Sequence, residues 1–346
     1  MEITLPRPDD FHLHLRDGAA MADVVAHSAR QFARAVVMPN LKPPVRTVAD
    51  ALAYRKRVLA ALPDDADFTP LMTLYLTEAT APDEIARAAD EAAVIGVKLY
   101  PAGATTNADA GVADLRRVRP VLEAMQAHDL PLLIHGEVTN PDVDIFDREA
   151  VFVDRVLDPL RRDFPALRIV LEHVTTRHAV EYVRASDSHL AATITPQHLL
   201  YNRNALFAGG LRPHYYCLPI LKLESDRQAL VEAATGDDGR FFLGTDSAPH
   251  ARGAKDTACG CAGIFSAHAA LELYAEAFER AGALDRLGDF AGRRGAGFYG
   301  LPENGGTVRL VKTDWQVPAS YPFGDSEVVP LRGRESIGWK FAAESL

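Results

Sequence analysis

Asp10-Phe11-His12-Leu13-His14-Leu15-Arg16-Asp17 is the first of a series of short apolar runs along the chain. Histidines alternate with apolar residues through it, the period-2 signature of a strand. Both imidazoles then share one face, about 7 Å apart along the strand at its rise per residue, and can close on one metal ion. The plainer alternative is two histidines on a solvated strand face. Arg16 and Asp17 come at once after them, as though the strand ran into a polar site.

Further runs succeed this one at 34–39, 68–76, 94–100, 130–136, 167–174, 190–197 and 240–246. Most are continuously apolar, as expected of parallel strands covered on both faces. Helical spacing fills the gaps: Leu115, Val118, Val121, Leu122 and Met125 share one face of 113–128, and Pro82, Asp83 and Glu84 make a first turn. Other helices are expected over 20–33, 47–61, 146–163, 176–185, 222–235 and 262–281. Eight strands, each followed by a helix, predict an α/β fold, a (β/α)8 TIM barrel. A doubly wound open sheet is the competing arrangement, but no GxGxxG follows any early strand. No linker, repeat or low-complexity segment interrupts residues 1–346, so one domain is expected. Residues 285–346 lie beyond the eighth unit and are predicted to add a helix and an irregular tail packed on the barrel.

A chain of 346 residues can build a large core, and its 48% hydrophobic and 24% charged content is that of a soluble globular protein. The formal charge of −10 argues against a nucleic-acid surface, yet a few local cations could still govern one pocket for a small anion. MEITLPRPDD carries no basic and apolar leader, and no apolar run approaches the ~18 residues needed to span a bilayer. Three cysteines are too few for a disulfide framework, which favours a reducing cytoplasm. Cys259-Gly260-Cys261 reads as two ordinary thiols in a loop, because no second pair lies near it.

Chemistry in a barrel gathers at the C-terminal ends of the strands. His12, His14 and Arg16 fall at the first such end, Asn40 at the second and Lys98 in the fourth run. His135 ends the fifth, His173 the sixth, and Asp246 the eighth with His250 just beyond. Lys98 is the most telling, since an unpaired ammonium inside Val97-Lys98-Leu99-Tyr100 is expensive to bury. It could pair with Asp246 or Glu137. It could instead react with CO2, which turns a cation into a carbamate with two ligand oxygens. Four histidines, a carbamate and an aspartate are enough for two divalent ions, and the mixed N/O set suits Zn2+. A hydroxide bridging two such ions is a strong nucleophile at neutral pH. No GxSxG elbow, Walker A or HExxH competes. His178 reads as a helix-surface residue, His27, His128, His189, His214 and His268 as structural or surface residues, and His198 as a candidate support behind the ligands.

Longer stretches carry a resemblance. Asp10–Gly18, Met38-Pro39-Asn40, Lys98–Asn107 (KLYPAGATTN), Tyr216–Lys222 (YCLPILK) and Gly244–His250 (GTDSAPH) are similar to the short bacterial dihydroorotase family of the binuclear metal amidohydrolases, from the N-terminus to about Leu301. The resemblance implies two zinc ions per subunit, bridged by carboxylated Lys98 and hydroxide. His12, His14, Lys98 and Asp246 would hold the more buried ion, and Lys98, His135 and His173 the other. It implies that Arg16, Asn40 and His250 grip a substrate carboxylate, and that backbone at Leu218 and Ala262 meets a pyrimidine ring. Thr105 and Thr106 would lie on a loop that closes over the site, and Asp246 would move the proton. It implies hydrolysis of a cyclic amide in a homodimer. A hydantoinase- or allantoinase-like enzyme is the near rival, and a non-catalytic barrel scaffold the distant one.

Overall fold

The computed structural model describes residues 1–342, so the last four residues of the expected tail lie outside the described residues. Thirteen strands occur there: β1 (Glu2–Pro6), β2 (Asp9–Leu13), β3 (Arg34–Val37), β4 (Thr69–Tyr75), β5 (Val94–Leu99), β6 (Leu132–His135), β7 (Ile169–Glu172), β8 (Leu190–Ile194), β9 (Phe241–Leu243), β10 (Thr307–Gln316), β11 (Tyr321–Phe323), β12 (Ser326–Val328) and β13 (Ser336–Ala342). Strands β2 to β9 form one parallel sheet in sequence order. They match the eight runs picked out by apolar patterning, most of them shortened by one to three residues at an end, while β2 starts one residue early at Asp9. The sheet curls until its edges meet: Leu13 bridges Ser247, Asp246 N donates to His12 O at 2.9 Å, and His14 N to Ser247 O at 3.1 Å. This is the expected (β/α)8 barrel, closed by the two segments that carry His12, His14 and Asp246.

Strand pleating divides the core. Val37, Met72, Leu74, Val97, Leu99, Ile134, Leu171 and Ile194 join the large cluster between sheet and helices. Phe11, Val36, Leu71, Leu133, Val170, Ala191 and Phe242 form a separate cluster inside the barrel. Pairing of β2 with β3 shifts register between Asp10 and Leu13. Neighbouring Phe11 and His12 thus serve different layers, Phe11 packing low in the barrel and His12 facing the site.

The segment after the eighth unit departs from the expectation. Helix Arg294–Tyr299 plugs the barrel floor, with Tyr299 stacked on Phe11 at 5.3 Å between ring centroids. A Cβ on Gly295 would lie 2.2 Å from the Phe11 ring, so only glycine lets the plug approach this closely. Beyond the plug the chain is regular instead of irregular: β10 runs antiparallel between β1 and β13, and β11 pairs with β12. The β1 strand was not foreseen either, because Ile3 and Leu5 alone make too short an alternation. Trp339 of β13 is fully buried, and the β13 amides of Gly338 and Phe341 donate to Glu276 and Glu272 of helix Ala270–Arg280.

Three predicted helices differ in detail. The 113–128 helix opens as a 3-10 turn at Leu115–Val118 and is α-helical over Arg119–Ala127. The 146–163 helix contains a π turn at Val153–Leu157, and the 262–281 helix begins only at Ala270 after a 3-10 turn. Residues 259–263 are consequently loop, free to line the open mouth of the barrel. Among the described residues no helix is long and apolar enough to cross a membrane.

Candidate active site

Side chains from separate strand ends converge at the mouth opposite the plug. His12, His14, Arg16, Asn40, Tyr100, Thr105, Thr106, His135, His173, Leu218, Asp246 and Ala262 line one narrow pocket. Lys98 lies at its base with no exposed surface. His250 stands at the rim, its Nε2 3.0 Å from the Arg16 guanidinium. Every expected site residue is therefore in or beside this pocket.

Hydrogen bonds decide which ring nitrogen each histidine turns inward. His173 N donates to Thr193 Oγ1 at 2.7 Å, so the Thr193 hydroxyl spends its proton on Glu172 Oε2. His12 Nδ1 donates to that same oxygen at 2.8 Å, which leaves the His12 Nε2 lone pair facing the pocket. Asn40 donates through Nδ2 to Thr106 O at 3.2 Å, so its Oδ1, 2.8 Å away, accepts the His14 Nδ1 proton. The His14 Nε2 lone pair then faces inward as well. The two Nε2 atoms lie 3.3 Å apart, and Asp246 Oδ1 is 3.4 Å from one and 3.1 Å from the other. Burial pushes both imidazoles below their ordinary pKa, so they are neutral. Asp246 Oδ1 faces these two proton-free nitrogens with no hydrogen between them, an arrangement that a cation and not a hydrogen bond satisfies. Three proton-free donors aimed at one point fit a cation.

A second group of donors adjoins the first. The His173 ring lies 5.0 Å from His12 and 4.8 Å from His135, and its Nδ1 is buried without a partner. His135 Nε2 is 2.7 Å from Glu137 Oε2, which leaves Nδ1 for another role. Lys98 Nζ is buried with no hydrogen-bond partner, so neither expected pairing, with Asp246 or with Glu137, is made. Burial drives its pKa down to about 8 against the pull of Glu172 and Asp246. An amine partly neutral near physiological pH is the form that can react with CO2. These orphaned polar atoms fit a carbamate and a second divalent ion.

Backbone strain is concentrated here. Arg16, His173 and Asp246 have φ of 60°, 42° and 45°, left-handed values that non-glycine residues rarely take. Such conformations cost of order 1–3 kcal/mol each and persist only where the surroundings impose them. Here each strand end turns sharply to aim its side chain at the pocket.

The amidohydrolase family profile matches residues 10–312. The chain belongs to the amidohydrolase family. Within that family it is 65% identical to a protein of Cupriavidus taiwanensis named dihydroorotase, over 98% of each chain. Among solved structures it is similar to a Campylobacter jejuni dihydroorotase, with 37% identity, a TM-score of 0.90, and 98% and 97% of the two chains covered. A Saccharomyces cerevisiae dihydroorotase in complex with 5-fluoroorotic acid matches at 33% identity and a TM-score of 0.91, over 99% of each chain.

Several residues that serve this amidohydrolase site escaped the sequence reading. Glu172 fixes the His12 tautomer, and its position beside His173 in an apolar run was a usable signal, as with Lys98. Asp10 accepts from Thr245 N, Thr245 Oγ1 and His12 N, tying β2 to the end of β9 beneath the donor cluster. Asn107 Nδ2 donates to Asn40 O at 3.1 Å and helps hold the 102–111 loop over the pocket. His198 does not line the pocket. It bonds Thr195 Oγ1 at 2.7 Å and Pro219 O at 3.0 Å, supporting the segment that carries Leu218. His178 and His128 are exposed, as expected, whereas His268 is buried as a structural residue.

Glu172→Gln is expected to weaken divalent-cation binding at the donor cluster roughly 10- to 100-fold, the usual effect of altering the hydrogen-bond partner of a metal-holding histidine. Competition with a chelating dye measures it. Unchanged affinity would remove Glu172 from this role.

Proposed function

We propose that the chain is a zinc-dependent dihydroorotase, opening the cyclic amide of (S)-dihydroorotate reversibly to N-carbamoyl-L-aspartate, the third step of de novo pyrimidine synthesis. The observation that carries this reading is a guanidinium, Arg16, held beside His250 directly above a cluster of proton-free metal donors. The donors suit hydrolysis, and the guanidinium selects a ring bearing a carboxylate. His12, His14, carboxylated Lys98 and Asp246 are assigned to one zinc ion, and Lys98, His135 and His173 to the other. When bound, the two ions supply an activated water and a Lewis acid for the scissile carbonyl.

The chain's own groups do the remaining work. Arg16 is anchored by its Nε on Pro249 O at 2.9 Å and by one outer nitrogen, Nη2, 3.0 Å from His250 Nε2, which leaves Nη1 and the open edge of the guanidinium for the substrate carboxylate. Burial, and behind it the Arg16 charge, push His250 down to about 2, so it stays a neutral neighbour that can donate once an anion arrives. Asn40 offers Nδ2, its oxygen being committed to His14. Backbone at Leu218 and Ala262 borders the ring, and Thr105 and Thr106 cover it and exclude bulk water. Asp246 takes a proton from the attacking water and delivers it to the departing ring nitrogen. The same carboxylate returns the proton in the condensation direction. A homodimer in the cytoplasm, with no nucleic-acid or membrane partner, completes the proposal.

Turnover of dihydroorotate by purified protein, with hydantoin in parallel and zinc measured on the same sample, tests the reading. Preference for hydantoin would favour the hydantoinase-like alternative, and a barrel without zinc the scaffold. Arg16→Gln is expected to raise KM for dihydroorotate roughly 10- to 100-fold with little change in zinc, from loss of a charge-assisted hydrogen bond of about 1.5–3 kcal/mol. An unchanged KM would refute the carboxylate assignment.

A further inference from the structure

Lys255 ends the short helix Arg252–Lys255 and is buried, 4% exposed, yet it pairs with no carboxylate among the described residues. Its three ammonium protons go to three backbone carbonyls: Tyr216 O and Cys261 O, each at 3.0 Å, and Gly263 O. Two of these carbonyls flank Ala262, and the third belongs to the segment leading to Leu218. Ala262 O in turn accepts from Thr106 Oγ1 of the covering loop at 3.3 Å and lies 3.0 Å from His250 Nε2. Gly263 N donates to Tyr216 O at 3.0 Å, closing the two segments on each other. A Cβ on Gly263, at φ +148°, would meet Ala248 O at 2.6 Å and the His250 ring at 2.8 Å. The loop is thus pressed against the segment that carries His250, with no room to shift outward by itself.

We propose that Lys255 is a positioning residue for substrate binding: by clamping the carbonyls on both sides of Ala262 it fixes the landing point of the 102–111 loop and the wall of the ring pocket. An ammonium is suited to this, because its three donors diverge from one atom and match three convergent carbonyls. Burial lowers its pKa to about 8, and the carbonyl cage holds the proton that makes the third bond. The clamp touches neither the donor cluster nor Asp246, so its loss should alter binding and loop order while sparing metal and chemistry.

The test compares wild-type holoenzyme with Lys255→Met, which keeps the stem and removes the donors, and Lys255→Arg, whose planar fork cannot cap three convergent carbonyls. Lys255→Met is expected to raise KM for dihydroorotate about tenfold with kcat within about threefold, since small misplacement of a positioning contact is felt strongly. Lys255→Arg falls between it and wild type, and carries the test if the methionine variant is insoluble. Zinc content stays at the wild-type level in both. Hydrogen exchange of amides 102–112 in the substrate-free protein should quicken about tenfold. That measurement does not depend on dihydroorotate being the substrate, so the kinetic arm alone fails if the proposed function is wrong. Unchanged exchange with unchanged KM, whatever happens to Tm, reduces Lys255 to an ordinary structural residue and overturns the proposal. A fall in kcat or zinc at constant KM overturns it too.

Discussion

Lys98→Ala protein is expected to emerge from purification with zinc far below the wild-type content and with turnover reduced by about a thousandfold or more, the loss expected when a metal-activated nucleophile is no longer formed. The reason lies in the base of the pocket. Lys98 Nζ is buried without a hydrogen-bond partner, 5.2 Å from the Tyr100 ring centroid, with Glu172 and Asp246 as its nearby opposite charges. A permanent ammonium there would repel any cation drawn to the nitrogens of His12, His14 and His173. A carbamate would reverse that sign and offer two oxygens to bound cations. Alanine leaves a slot the size of the missing stem, which acetate or propionate can enter to restore part of both metal and activity. Lys98→Met fills the slot without any ligand and should not be rescued. Two zinc ions per chain in Lys98→Met would eliminate the carbamate.

Asp246→Asn should separate metal from chemistry. The amide oxygen can still reach the position that Asp246 Oδ1 holds, 3.1 Å from His14 Nε2, so most of the zinc is retained. An amide cannot take a proton. Turnover is expected to fall about 10²- to 10⁴-fold, the usual contribution of a positioned general base. The φ of 45° at Asp246 also suits asparagine, one of the few residues at ease in the left-handed region, so the backbone turn survives. Near-normal turnover in the zinc-loaded variant would assign the proton to another group. Zinc lost in parallel with activity would make Asp246 chiefly a ligand.

Much of this site is legible in the amino-acid sequence. His12 and His14 declared themselves by alternation, and Lys98 by standing in an apolar run where a cation is costly. His135, His173 and Asp246 were marked by their place at strand ends. These are local signals, set by the pleat of a strand and the burial of its neighbours. Glu172 was equally local and was passed over, because an acidic residue beside a histidine suggests no chemistry until the direction of the ring is known. The C-terminal strands were hidden for a different reason. The β1 and β10 partners Glu2 and Val311 lie at opposite ends of the chain, and neither segment has enough apolar alternation to announce a strand alone.

By itself the sequence determined the eight-unit barrel and the donor types at its mouth, since hydrophobic periodicity and residue chemistry need no partner to be read. Tertiary structure decided which nitrogen each histidine offers, because that rests on bonds across the barrel such as His12 to Glu172. It also decided the plug of Arg294–Tyr299 beneath the site and the Lys255 clamp on two loops. Their physical basis is shared. A tautomer, a close approach at a glycine and a carbonyl cage each depend on where distant backbone comes to rest, and only the folded chain brings those atoms within hydrogen-bonding range.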